Sequence, residues 1–262
     1  MKKFLLRILI IFTIVLVSVV IFRNFVQADK AKENSSSEQN TQGSNKTSTN
    51  SRPDFPGYEE TMQKQGDSYV VTNPSSLLVL VDKTRKLPDN YVPEGLVKPN
   101  VPMNAGDKTA HPMLRKEAAT AMEQLFKEAK NDGINLYLVS GYRSYQSQEQ
   151  LFNSYVKKQG RSSAEQYSAL PGTSEHQTGL AADVTSKSLL MDLNATFGDT
   201  PEGQWLKDHA HDSGFIISYP KDKTDITGYA YEPWHIRYVG IPQATYMYNH
   251  HLTLEEVEKE NK

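Results

Sequence analysis

The chain has 262 residues, no cysteine and a formal net charge of −2, with 29 Lys plus Arg against 31 Asp plus Glu. This near-neutral balance, without a long basic block, argues against a nucleic-acid partner. Because disulfides and thiolate ligands are both excluded, the fold must rely on its hydrophobic core, and any bound metal ion must rely on nitrogen and oxygen ligands.

The first 28 residues are typical of an export signal. Basic residues precede the uncharged run Ile8–Phe22, and small or modest residues follow at Val26–Ala28. The run is long for a signal-peptide core but shorter than the ~20 residues of a spanning helix. Residues 1–28 are therefore predicted to be either a cleaved signal peptide or a membrane anchor with its basic end in the cytoplasm. Both alternatives place the remaining chain outside the cytoplasmic membrane.

Residues 29–55 are predicted to be a disordered linker. Asp29–Arg52 contains Ala31 as its single clearly apolar side chain, among Ser, Thr, Asn and Gln. Such a segment cannot bury enough apolar surface to offset the conformational entropy lost on ordering. We therefore expect the folded domain to span residues 56–262.

Hydrophobic periodicity within this domain predicts short strands and helices in irregular alternation. In chain order they are a strand at Leu77–Val81, a proline-rich surface segment at Asp82–Met103, a helix at Met113–Lys130, a strand at Leu136–Val139, a helix capped by Ser144 or Ser147, a strand at Leu180–Val184, a helix at Glu202–His211, strands at Phe215–Ile217 and His235–Val239, and a last helix with a Thr253–Glu256 capping box. The irregular order predicts an α+β class, with one compact domain and a small, largely antiparallel sheet flanked by helices.

The first motif with chemical potential is Ser174–Asp183, with the sequence SEHQTGLAAD. His176 lies in a loop of small polar residues, and Asp183 lies at the edge of an apolar strand. A carboxylate in such a strand is costly to bury unless it is paired or bound to a metal. The alternative is that Asp183 is an ordinary turn residue at the strand end.

The second motif is Glu232-Pro233-Trp234-His235. Proline restricts the residue before it to extended geometry, so this is not a helical pair of ligands. In a regular strand, residues three apart face opposite sides, so a bend at Pro233 is required to bring Glu232 and His235 together. By contrast, His209 and His211 lie two apart on a predicted helix, do not share a face, and are not expected to be ligands.

Together the two motifs offer two imidazoles, one carboxylate and a spare glutamate, which are the parts of a catalytic zinc site. With these residues the chain resembles the VanY-type D-alanyl-D-alanine carboxypeptidases of the peptidase M15 family, whose relatives include D,D-dipeptidases and the zinc-bearing Hedgehog domain. Ser174–Asp183 matches the family pattern S-x-H-x-x-G-x-A-x-D in full, and Glu232–His235 matches E-x-W-H. Ser140–Ser144 (SGYRS) is similar to the family's substrate-side segment, and the similarity extends over roughly Leu77–Val239.

The resemblance implies one zinc ion bound by His176, Asp183 and His235, with Glu232 as the catalytic base. It also implies a peptidoglycan stem peptide as the substrate. Ser218 departs from the family, in which relatives often carry arginine at this place, and this leaves finer substrate preference open.

Arg143 is a candidate for binding the terminal carboxylate of the substrate or stabilising the tetrahedral oxyanion, because a guanidinium fits either task. A structural ion pair near Ser144 is the alternative for this residue. Ser174 and Gln150 are weaker candidates for polar contacts with the substrate.

These assignments predict an exported D,D-carboxypeptidase that trims the C-terminal D-alanine from peptidoglycan stem peptides, either secreted to the cell wall or anchored at the outer face of the membrane. An L,D-carboxypeptidase acting on tetrapeptide stems fits the same motifs. A non-catalytic wall-binding module that keeps its zinc is a third reading, disfavoured because a structural site does not need Glu232. An endopeptidase would require an open-ended groove.

Overall fold

The structure, a computed structural model, describes residues 52–66, 68–103 and 112–261. The predicted signal or anchor (1–28) and the predicted linker up to residue 51 lie outside this part of the chain. The predicted linker end at residue 55 is wrong, because Phe55 is buried in a hydrophobic cluster and Arg52 Nη2 donates to the Val257 carbonyl at 2.8 Å. Within the described residues, none of the helices combines the length and apolar character needed to cross a bilayer.

The described residues form nine strands and seven α-helices. The strands are β1 (Met62–Gln65), β2 (Ser68–Val71), β3 (Arg85–Lys86), β4 (Leu96–Val97), β5 (Leu114–Arg115), β6 (Tyr137–Ser140), β7 (Ala181–Thr185), β8 (Phe215–Ile217) and β9 (His235–Tyr238). The helices are α1 (Lys116–Asn131), α2 (Tyr145–Gln159), α3 (Arg161–Tyr167), α4 (Pro201–His209), α5 (Thr224–Thr227), α6 (Ile241–His250) and α7 (Leu254–Lys259).

The central sheet has four strands in the order β6-β7-β9-β8, and every neighbouring pair is antiparallel. A three-stranded sheet β1-β2-β3 and a two-stranded sheet β4-β5 lie outside it. The mixture of helices with small, mainly antiparallel sheets confirms the predicted α+β class.

Alternation along the central strands separates a packed face from a polar face. Ala182, Val184 and Ile236 belong to the main hydrophobic cluster, which also contains the buried apolar residues of α1. Because successive strand residues point to opposite sides, the intervening Asp183 and His235 project from the other face. The packing of α1 against one side therefore leaves the opposite side of the same strands for the polar residues of both motifs.

Two helix ends confirm the predicted caps. The Ser144 hydroxyl accepts a hydrogen bond from the Ser147 amide at the start of α2. At α7, the Thr253 hydroxyl accepts from the Glu256 amide, and the Glu256 carboxylate accepts from the Thr253 amide.

The predicted strand at Leu77–Val81 is wrong. Its residues Val79, Leu80 and Val81 are buried as the apolar pattern indicates, but the segment pairs with no strand of the described structure. The carbonyls of Leu77 and Val79 instead accept hydrogen bonds from Arg237 at 3.0 and 2.8 Å. The apolar run correctly predicts that the segment is buried. It does not form a strand, because the buried side chain of Arg237 occupies the carbonyls that strand pairing would use.

Candidate active site

Strand register brings three polar residues onto one face of the central sheet. Asp183 of β7 lies opposite His235 of β9 and is paired on its other side with Ser140 of β6. Directly opposed residues in antiparallel strands present their side chains on the same face. His235 Nδ1 accordingly lies 3.0 Å from Asp183 Oδ1, while the Ser140 hydroxyl donates to Asp183 Oδ2.

His176 reaches this face from the 3-10 turn Glu175–Thr178, which ends at Gly179 in the left-handed conformation with φ 71°. Its Nδ1 lies 2.8 Å from the Gly141 carbonyl, which can only accept a hydrogen bond, so Nδ1 carries the proton. Nε2 is then the unprotonated nitrogen, and it lies 3.3 Å from Asp183 Oδ2. A backbone contact therefore orients the ring so that its free lone pair faces the carboxylate.

The bend required at Pro233 is present. The His235 amide donates to the Glu232 carbonyl at 3.1 Å, which closes a four-residue turn with proline at its second position, where its fixed φ is favoured. The turn ends where β9 begins, so Glu232 and His235 line one cavity instead of facing opposite sides of a strand.

Among the described residues, His176, Asp183 and His235 form a cluster that could hold a metal ion, with one candidate ligand atom from each lying within 4.8 Å of the others. Tetrahedral zinc with bonds of about 2.0–2.1 Å would place its ligand atoms ~3.3 Å apart, close to the 3.0 and 3.3 Å contacts of Asp183. The donor set and its spacing therefore fit zinc. His209 and His211 do not line this cavity.

The electrostatics of the cluster favour a bound cation. Burial acts to raise the pKa of Asp183, but the neighbouring imidazoles outweigh it and hold this pKa well below its usual value. Burial lowers the pKa of His176, so this ring is held neutral. His235 shows the opposite shift: burial opposes its charge, yet hydrogen bonds to Asp183 and Glu175 raise its pKa to about 10. The two carboxylates beside His235 stabilise positive charge on its ring, and a metal ion at Nδ1 would supply such a charge.

Glu232 lies beside this cluster without belonging to it. Burial is the main reason that its pKa rises to about 7, with His235 and Arg143 lowering it and Asp183 raising it. A carboxylate that gains and loses a proton near neutral pH is suited to general acid–base work.

Arg143 lines the same cavity, and its Nη1 donates to the Gln148 side-chain carbonyl at 3.0 Å. Ser174 also lines the cavity and is buried, as a substrate contact requires. Gln150 does not: it is exposed on α2 and absent from the lining, so its predicted role is not supported. Two positions apart on a helix correspond to nearly opposite faces, and Gln148, unlike Gln150, lines the cavity.

Sequence reasoning missed a second buried group behind His235. Glu175 Oε2 lies 2.9 Å from His235 Nε2 and accepts from the Ser218 hydroxyl at 2.7 Å, while Oε1 accepts from Arg237 Nη1 at 2.8 Å. Arg237 offered a signal, since it is a charged residue inside a strand whose neighbours are apolar. Ser218, where relatives often carry arginine, contacts this group because its hydroxyl donates to Glu175.

Comparison with known proteins assigns the chain to a family. A family model described as "VanY: D-alanyl-D-alanine carboxypeptidase" matches residues 111–241. The putative carboxypeptidase YodJ of Bacillus subtilis is 44% identical over 226 residues, covering 86% of this chain and 83% of YodJ.

Solved structures give the same result. The LdcB LD-carboxypeptidase, whose structure concerns peptidoglycan recognition, has a TM-score of 0.73 and 45% identity, covering 77% of this chain and 94% of LdcB. A mutant of the vancomycin-resistance D,D-pentapeptidase VanY in complex with Zn(II) has a TM-score of 0.57 and 33% identity, covering 68% of this chain and 97% of that one. The chain therefore belongs to the VanY family of D-alanyl-D-alanine carboxypeptidases.

Proposed function

We propose that this protein is a zinc-dependent carboxypeptidase that removes the C-terminal D-alanine from peptidoglycan stem peptides. The observation that carries the proposal is the convergence of His176, Asp183 and His235 in one cavity with Glu232. The Zn(II) complex of a VanY relative supports zinc as the metal. A non-catalytic module explains less, because a structural zinc site has no use for a carboxylate whose pKa is raised to about 7 by burial.

Between the two carboxypeptidase specificities, the comparisons favour the L,D reading. LdcB, an LD-carboxypeptidase, is similar to this chain at 45% identity and a TM-score of 0.73, against 33% and 0.57 for the D,D-pentapeptidase VanY. We therefore expect tetrapeptide stems to be cleaved faster than pentapeptide stems. The D,D-carboxypeptidase predicted from the motifs is the second candidate, supported by the description of the matching family.

The residues divide the chemistry between them. His176 Nε2, His235 Nδ1 and the Asp183 carboxylate would hold the ion. When bound, zinc supplies a Lewis acid that polarises the scissile carbonyl and lowers the pKa of water toward ~7. Glu232 accepts the proton of the attacking water and delivers it to the departing amine of D-alanine as the peptide bond breaks. Its pKa of about 7 suits both halves of this transfer.

Arg143 supplies the positive charge that an anionic terminus or a developing oxyanion requires. Its contact with Gln148 fixes one guanidinium nitrogen, and the side chain lines the cavity in which the substrate would lie. Since Gln148 also donates to the Ala169 carbonyl at 2.7 Å, the arginine is anchored to the segment that follows α3.

We propose that the protein acts outside the cytoplasmic membrane, because peptidoglycan is the proposed substrate. A hydrophobic segment within residues 1–28 supports export, and its role as a cleaved signal or a retained anchor is part of the proposal. Western blotting of wall, membrane and medium fractions for the intact and shortened chain distinguishes these two outcomes.

Glu232→Gln tests the proposed mechanism directly. The variant should retain one zinc per chain but lose activity by about 10²–10⁴-fold, because the isosteric amide cannot accept the proton. His176→Gln should lose both zinc and activity, whereas His209→Gln, whose exposed side chain lies outside the cavity, should lose neither. Full activity in Glu232→Gln would overturn the assignment of the base.

Mass spectrometry of defined stem peptides tests the specificity. Pentapeptide, tetrapeptide and cross-linked dimer are incubated with the enzyme, with and without a chelator. Release of free D-alanine mainly from the tetrapeptide supports the L,D reading, and release from the pentapeptide supports the D,D reading. Cleavage inside the cross-link would show an endopeptidase instead.

A further inference from the structure

Glu175 is a buried carboxylate that touches one metal ligand and adjoins another in sequence, yet it is outside the ligand cluster. Its oxygens accept from three side chains. Oε1 is 2.8 Å from Arg237 Nη1, and Oε2 is 2.7 Å from the Ser218 hydroxyl and 2.9 Å from His235 Nε2. The mechanism proposed above does not use this residue.

The contact with Glu175 selects the tautomer of His235. An ionised carboxylate can only accept hydrogen bonds, so the ring nitrogen facing it must carry the proton. With Nε2 protonated, the lone pair of a neutral ring lies on Nδ1, which is the nitrogen 3.0 Å from Asp183 Oδ1. The ring would bind a metal through Nε2 if this proton were placed on Nδ1, and Nε2 points away from Asp183 toward Glu175.

Glu175 is itself fixed from behind. Arg237 Nη2 donates to the carbonyls of Leu77 and Val79 at 3.0 and 2.8 Å, so the guanidinium cannot follow a moving carboxylate. The Ser218 hydroxyl holds the oxygen that faces His235. The buried apolar segment at 77–81 thus orients Arg237, which orients Glu175.

We propose that Glu175 is a positioning residue that commits His235 to metal binding through Nδ1, with Arg237 and Ser218 holding its carboxylate in place. The inference rests on the proposed zinc site and adds a residue set that determines how that site is assembled. Hydrogen-bond partners behind metal ligands typically contribute 10–100-fold to metal affinity, because they fix ring orientation and raise ligand basicity. We expect the same range for Glu175.

Glu175→Gln and Glu175→Leu test this inference on the full-length protein. Glu175→Gln keeps an acceptor oxygen and the side-chain volume, whereas Glu175→Leu keeps neither acceptor. Competition with a chromophoric chelator should show zinc affinity falling about 10–100-fold, more for Leu than for Gln. Glu258→Gln is the matched control: it alters another buried glutamate paired with an arginine, one that does not line the cavity, and should leave zinc affinity unchanged.

Long-range ¹H–¹⁵N spectra of the zinc-loaded proteins provide the second readout, since they identify which ring nitrogen of His235 carries the proton. Wild type should show protonated Nε2, and Glu175→Leu should show a mixture or ligation through Nε2. If Glu175→Leu does not fold, Glu175→Gln decides. Folded variants with wild-type zinc affinity and an unchanged tautomer would overturn the inference and leave the proposed function intact. A wild-type protein that binds no zinc would overturn both.

Discussion

Two buried glutamate–arginine pairs in this protein have nearly the same geometry and opposite electrostatics. Glu175 and Arg237 approach to 2.8 Å with side chains 5% and 0% exposed, and Glu258 and Arg85 approach to 3.1 Å with both side chains 0% exposed. The pKa of Glu175 falls to about 2, whereas the pKa of Glu258 rises to about 8.

The difference lies in the other partners. Burial raises both pKa values, but at Glu175 it is outweighed by Arg237 and by hydrogen bonds from His235 and Ser218. Glu258 has its arginine as the main opposing influence, and its Oε1 has no hydrogen-bond partner among the described residues. One guanidinium therefore does not keep a buried carboxylate charged, whereas three converging donors do. The charge is retained beside the metal cluster, where it orients a ligand.

Removing each arginine is the strongest way to break this comparison. Arg237→Met removes the largest of the influences that lower the pKa of Glu175 and leaves its buried carboxyl group without its charge partner, so it should lower the free energy of unfolding by about 3–5 kcal/mol. Arg85→Met should cost about 1–2 kcal/mol at pH 6, because Glu258 is already neutral there and mainly hydrogen bonds are lost.

Denaturant titrations at pH 6 in excess chelator measure both differences without a contribution from metal binding. Equal losses in the two variants would show that Glu258 is as fully charged as Glu175, and the proposed contrast between the pairs would not hold.

The pH dependence of stability sharpens the contrast. Because the pKa of Glu258 is raised from 4.5 to about 8, its contribution is fully present below pH 4.5 and is lost as the pH rises through 8. Between pH 6 and 8 this loss amounts to about 2 kcal/mol at 1.4 kcal/mol per pH unit, after allowance for partial ionisation. Glu258→Gln removes it, since the amide mimics the neutral acid.

The measured quantity is the difference in unfolding free energy between Glu258→Gln and wild type in excess chelator. This difference should move in favour of the variant by about 2 kcal/mol from pH 6 to 8. Glu255, whose pKa burial raises to about 7, titrates in both proteins, so only its interaction with Glu258 differs between them. A difference that stays constant with pH would show that Glu258 is ionised throughout this range.

The parts of the site that lie in short contiguous motifs could be predicted from the sequence. His176, Asp183, His235 and Glu232 stand in two contiguous motifs, and the turn required at Pro233 follows from the rigidity of proline. The geometry of short segments such as these depends on their own residues and can be predicted from them. The α+β class could likewise be predicted from hydrophobic periodicity, which is also a local pattern.

The residues behind the ligands could not be found in this way. Glu175, Ser218 and Arg237 come from three separate segments, and their meeting depends on the register of β9 and on the carbonyls of the misassigned segment 77–81. The sequence does not distinguish Gln150 from Gln148 as a substrate contact, because it does not fix the rotation of a helix whose exposed and buried faces both contain glutamine. Non-local contacts and helix phase were therefore the missing information.

Ser218→Ala is the mildest way to probe the comparison, since it removes one of the three donors to Glu175 and leaves Arg237 and His235 in place. We expect the free energy of unfolding to fall by about 1 kcal/mol, the usual net contribution of one hydrogen bond. Zinc affinity should fall less than in Glu175→Gln, because the acceptor for His235 Nε2 is still present. Thr61→Val serves as the control at the other pair, where the Thr61 hydroxyl accepts from Arg85 at 2.8 Å, and it should leave zinc affinity unchanged. If Ser218→Ala loses as much affinity as Glu175→Gln, the Ser218 hydroxyl contributes as much as the carboxylate to the position of His235, and the expected ranking of the two variants is wrong.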